Sequence, residues 1–219
     1  MFPVSDVIPS RAKPVVTIAL IALTVGGFLY GLRLGDFEFH ALLGRFGVVP
    51  ADFAWTSFFT SVLLHTGWLH ITANAIYLWL FGSNVEDVFG GRRFLIFYFF
   101  CGATAALAHV AAHPWSTMPL VGASGAVAGV MGAYLVLFPG SRVLTAFYTI
   151  LFLDLIEVPA AFYVGLWFVI QLFTGVGSMA PETAHGTLVL WPNVVGFVVG
   201  ALCGLYSRFR TASLREYWR

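Results

Sequence analysis

Six times along this chain the sequence turns apolar for roughly 15 to 24 residues, long enough to approach or cross a hydrocarbon core of about 30 Å. The blocks cover 14–32, 58–81, 94–112, 124–138, 158–174 and 191–207. Only 10% of the residues are charged and 59% are hydrophobic, whereas a soluble domain carries about a quarter charged residues. The pattern predicts an all-α, polytopic membrane protein: a bundle of six transmembrane helices forming a single domain over 1–219, with a short N-terminal segment 1–13 and a tail 208–219. A cleavable signal peptide is not expected, because the first apolar block starts only after Pro14 and is full length. Eleven basic residues face ten acidic ones, which argues against nucleic acid as a partner. Cys101 and Cys203 both lie inside apolar blocks and say little about redox compartment.

The basic residues supply an orientation. Arg11, Lys13, Arg92, Arg93, Arg142, Arg208, Arg210, Arg215 and Arg219 fall on one side of the expected bundle, and only Arg33 and Arg45 on the other. By the positive-inside rule both termini are then cytoplasmic. The segments 33–57, 113–123 and 175–190 would face outward.

The fourth block departs from the rest. From Ser124 to Phe138 is 15 residues, about 22 Å of helix, too short to reach both faces of the bilayer. If Pro139-Gly140 ends it on the cytoplasmic side, Ser124 lies below the outer surface. Backbone leading down to it is tolerable only where it is buried in protein or lines a watery cavity. Ser124 is therefore either an ordinary N-cap or a hydroxyl on the floor of a wet cavity. Gly122, Gly125, Gly129 and Gly132 surround it, and Gly196, Gly200 and Gly204 recur four apart in the sixth block. Faces of small residues let membrane helices approach backbone to backbone. Gly125 and Gly129 are thus expected to pack against Gly196 and Gly200, bringing Asn193 near Ser124.

The second block carries LLHTGWLHITANAIYLWLFG. His70 and Asn74 are four apart and share a helix face; they suit either a structural helix–helix hydrogen bond or a functional site in the bundle interior. His65 reads as an interfacial histidine. No metal site is expected: His65 and His70 lack the HExxH frame, and His109 and His113 have no carboxylate near them in sequence. No other cofactor is expected.

Taken together, HTGWLHITANAIYLWLFG, GSNVEDVFGGRRFLIFYFFCG, the GASG serine, IEVPAAFYVGLWFVIQL and the GFVVG of the last block resemble the rhomboid family of intramembrane serine proteases, in order and over nearly the whole chain. GASGA is not the GxSxG elbow of α/β-hydrolases, which sits on a strand-to-helix turn. The resemblance implies that Ser124 holds the nucleophile position. It also implies an oxyanion hole formed by His70, Asn74 and the Ser124 backbone N–H. The family's general base is a histidine in the last helix, three residues before a glycine. Here the stretch reads WPNVVGF, and that position is Asn193. A second departure is Trp55-Thr56 where the family often has Trp-Arg. An asparagine amide cannot hold a proton near pH 7, and a serine hydroxyl is a weak nucleophile without a base.

Three functions follow as expectations. The first is a pseudoprotease or strongly impaired protease that binds transmembrane segments. The second is an active rhomboid protease, or a deliberately inactivated form of one; an active form would need another base, for which His185 would have to fold down into the cavity. The third is a structural accessory subunit of a larger membrane complex. All three place the chain in a lipid bilayer as a multi-pass protein, with the bacterial inner membrane as the expected location.

Overall fold

The computed structural model describes residues 2–8, 12–148, 153–166 and 191–210. The chain is mostly helical. Helix α1 is Val15–Gly31, α2 is Asp36–Phe46, and α3 is the short Ser57–Thr60, continued by a 3-10 turn at Ser61–Leu63. Helices α4 (Trp68–Phe89), α5 (Gly91–Ala112) and α6 (Ser124–Leu137) follow. Residues 160–166 are helical (α7), and α8 is Trp191–Arg210. By length and composition, α5 alone among the described residues is long and apolar enough to cross a membrane unaided, while α1 and α6 are apolar but shorter.

The all-α expectation has to be amended. Strands β1 (Phe2–Asp6), β2 (Arg142–Tyr148) and β3 (Leu153–Pro159) form an antiparallel sheet in the order β1-β2-β3. The β2–β3 register runs from Arg142 opposite Pro159 to Tyr148 opposite Leu153. The expected block 158–174 therefore starts as the end of a strand, and its residues 167–174 lie outside the described residues. Valine, threonine, isoleucine and aromatic residues suit a pleated surface; β2 has four of them, while β3 has only Ile156 and Val158.

The second block is also displaced. Its helix runs 68–89 rather than 58–81, because the chain breaks after the 3-10 turn: Leu64 is extended (φ −97°, ψ 144°), and Gly67, extended at φ −165°, precedes the first turn of α4. The helix runs on past Phe81 because Glu86 and Asp87 find partners near its end. The buried Glu86 carboxylate accepts the N–H groups of Val16 (2.9 Å) and Thr17 (2.8 Å) and the Thr17 hydroxyl (2.7 Å). Asp87 accepts the N–H of Ala12 at 3.0 Å. Orphan donors at a helix N-terminus and its positive dipole end both favour a carboxylate there, so α4 caps α1.

Helix α6 is the central post. Every residue from Gly125 to Tyr134 is buried, as expected of a helix apolar on all sides. Its lower half packs Met131, Tyr134, Leu137 and Phe138 against Phe81, Phe94 and Phe97. Its small residues face α8, and the two helices run parallel and in step. A Cβ added at Gly196 would overlap the Gly125 carbonyl, and one at Gly200 the Gly129 carbonyl. At Gly204 an added Cβ would come within 2.9 Å of Ala133. On the α8 side the close approach needs bare glycine, while a Cβ at Gly125 or Gly129 would first meet Ala105 or Cys101 of α5.

Candidate functional site

The segment leading to Ser124 is pinned strand-like to its surroundings. Val48 and Leu120 exchange backbone hydrogen bonds of 3.0 and 2.8 Å. The Gly122 N–H donates to the Ser61 carbonyl at 2.9 Å. Gly122 sits at φ +124°, which glycine alone adopts readily. A Cβ there would also lie 2.5 Å from the His70 ring. Glycine at 122 therefore serves twice, bending the chain into α6 and admitting the histidine.

Ser124 is the first helical residue, and Ala123 occupies the N-cap position with no side-chain cap. The serine is thus not the ordinary N-cap that its position in the sequence allowed. The first intrahelical bond runs from the Val127 N–H to the Ala123 carbonyl at 2.9 Å. The N–H groups of Ser124, Gly125 and Ala126 precede it and point out of the positive end of α6. A half-buried hydroxyl therefore stands beside donors suited to a developing oxyanion.

The histidines are arranged differently from the expectation. His65 is only 1% exposed, buried within the protein. The turn at 61–67 folds it inward, where Asn74 donates from Nδ2 to its Nε2 at 3.0 Å. The Ala123 N–H reaches the same nitrogen at 3.4 Å. His70 packs edge-on against His65, with ring centroids 4.8 Å apart, and against Gly122. Asn74 thus bonds to His65, and its second amide proton is left over from that contact. His65 is the polar contributor that sequence reasoning missed; its five-residue spacing from His70 gave no helical face to read.

Asn193 lies in the first turn of α8 and is 5% exposed. Because Gly196 meets Gly125, Asn193 stands within about 3 Å of the height of Ser124 along the paired helices. Its Oδ1 has no hydrogen-bond partner among the described residues, nor does the indole N–H of Trp191. No hydrogen bond links Asn193 to Ser124 among the described residues. No titratable side chain there is hydrogen-bonded to the serine hydroxyl. His185 lies outside the described residues.

A family model described as the Rhomboid domain matches residues 52–209. "Rhomboid protease GluP" of Bacillus subtilis is 34% identical over 130 residues, covering 57% of this chain and 25% of that protein. "Rhomboid-like protein 11, chloroplastic" of Arabidopsis thaliana is 36% identical over 81 residues, 35% of this chain and 27% of that protein. The matches span about a quarter of the length of each of these two relatives. With the family model covering most of its length, this chain belongs to the rhomboid family, whose members are integral membrane proteins.

Proposed function

We propose that this chain is a multi-pass rhomboid protein with six membrane helices and both termini cytoplasmic, residing in a bacterial inner membrane. It keeps the serine-protease framework without its general base. On this reading it holds transmembrane segments of other proteins and cleaves them extremely slowly or not at all. Ser124 keeps the nucleophile position, and its backbone N–H, Asn74 and His70 are the oxyanion donors.

The observation that carries the reading is Asn193. It is buried, level with the first turn of α6, and its Oδ1 is left without a partner among the described residues. The serine proton needs an acceptor whose pKa is near the working pH. The amide supplies none. Losing one member of such a catalytic unit costs roughly four to six orders of magnitude in rate, which surviving donors do not restore.

The test is cleavage of a reporter transmembrane substrate by the purified chain in proteoliposomes. The expected result is no product above a Ser124→Ala control. Robust cleavage that Ser124→Ala abolishes would contradict it. Such a result would favour the second reading, an active protease, which is supported by the 34% identity to a protein named a rhomboid protease. A pH profile would then identify the class of substitute base.

A further inference from the structure

At the end of the bundle that carries the sheet, α4, α5 and α8 leave a groove of about 630 Å³ between them. Phe89 of α4, Phe97 and Phe100 of α5 and Leu202 of α8 supply apolar wall, with Arg93 and Tyr206 among the polar-ended residues of the lining. Arg93 is exposed, and among the described residues no carboxylate pairs with it. From Arg93 to Phe100 the groove follows seven residues of α5, about 10 Å. Half of a hydrocarbon core is about 15 Å. A cation at the mouth and an apolar trough reaching about two-thirds of the way into one leaflet suit one phospholipid, its acyl chain running on past the trough.

The walls argue against a second helix as the occupant. Helices associate in membranes through small residues that let backbones approach, and α6 and α8 show that device in this same molecule. The groove is instead walled mainly by phenylalanine, isoleucine and leucine, with Cys203 and Ser207 the small residues on its α8 side, and the bulky wall holds a helix backbone away but leaves room for a flexible acyl chain. By the distribution of basic residues this end faces the cytoplasm, the leaflet rich in anionic lipid, where basic pockets between membrane helices collect anionic headgroups.

We propose that the α4–α5–α8 groove binds an anionic phospholipid, its phosphate on Arg93 and one acyl chain along Phe97, Phe100 and Leu202. The site is separate from the serine site and does not depend on whether the chain cleaves anything.

The test uses the whole chain reconstituted in dioleoylphosphatidylcholine bilayers with trace spin-labelled phosphatidylglycerol or phosphatidylcholine. The expected result is that the immobilised fraction favours phosphatidylglycerol by about fivefold, the effect of one well-placed cation. Arg93→Gln should erase that preference, while Arg92→Gln, an equal loss of charge on the adjacent exposed residue, should keep it. Leu202→Trp, which fills the trough, should lower the immobilised fraction of both lipids. No preference in the unmodified chain would overturn the proposal. So would equal losses in the Arg92 and Arg93 variants, which would mean diffuse surface charge.

Discussion

The buried carboxylates at one end of the bundle and the buried amide at the other are treated in opposite ways. At the sheet end, the inward-facing carboxylates are saturated. Asp6 accepts from Asn84, from the Tyr134 hydroxyl at 2.6 Å and from the Ile8 N–H at 3.1 Å. Tyr134 in turn shares a 2.7 Å hydrogen bond with Ser141. Glu86 takes three donors from α1. At the serine end, Asn193 Oδ1, the Trp191 indole N–H and the Nδ1 atoms of His65 and His109 are buried without partners among the described residues, and so is the Tyr98 hydroxyl of α5, nearer the sheet end. Buried polar atoms are ordinarily satisfied, and each exception calls for an explanation, a functional role among them. One end is built to hold helices in place. The other keeps hydrogen-bonding capacity in reserve beside Ser124.

If that contrast is right, the largest loss of stability should come from the sheet end. Glu86→Ala strands the Val16 and Thr17 donors in a buried position and should destabilise by on the order of 3 kcal/mol. Glu86→Gln, which keeps one acceptor, should recover part of it. Thermal unfolding in detergent measures both, and a melting temperature unchanged in Glu86→Ala would break the comparison at its stronger end.

Next comes the seam joining the two ends. Gly200→Leu forces a side chain into the Gly129 carbonyl and should cost about 1–3 kcal/mol. Gly26→Ala is its counterpart, since nothing lies within 4 Å of an added Cβ there; it should be neutral or stabilising by up to about 1 kcal/mol. Equal melting shifts in the two variants would mean that close packing is not what makes the seam rigid.

The smallest effect is a dependence on pH at Asp6. Burial, opposed by the hydrogen bonds from Tyr134, Ile8 and Asn84, leaves its carboxyl above the usual 3.8. The folded chain therefore holds this proton more tightly than the unfolded one. The stabilisation is complete below 3.8 and is lost as pH rises through the raised value. Unfolding followed from pH 3.5 upward should show Asp6→Asn lacking that component. Identical pH curves for the unmodified chain and the Asp6→Asn variant would remove this carboxyl from the account.

Much of the serine end was legible in the sequence because it obeys local rules. Glycines four apart mark the seam at 196 and 200, and a 15-residue apolar run with Gly122 just before it marks the start of α6 at Ser124. The sheet end was not legible, because its logic is long-range. Asp6 meets Asn84 and Tyr134 across 78 and 128 residues, and Glu86 serves a helix start 69 residues earlier. No periodicity announces such pairs. The strands were hidden for a different reason: RVLTAFY falls in the stretch between the expected blocks 124–138 and 158–174, and LDLIEVP overlaps the second only at its last two residues. His65 was missed because its inward turn depends on a 3-10 break that its neighbours do not signal.

On the proposed function, Ser124 sits in a site that lacks only a proton acceptor. Reaction of the serine with a fluorophosphonate probe tests it most directly, comparing the unmodified chain with Asn193→His, read by intact-mass analysis. Histidine shares its first two side-chain carbons with asparagine and supplies a base that titrates near neutrality. The account predicts negligible labelling of the unmodified chain and clear labelling of the Asn193→His chain, abolished when Ser124 is also changed to alanine. A folded Asn193→His chain that stays inert would show that the cavity around Ser124 has lost protease geometry, and labelling of the unmodified chain at a comparable rate would show that a base is already present.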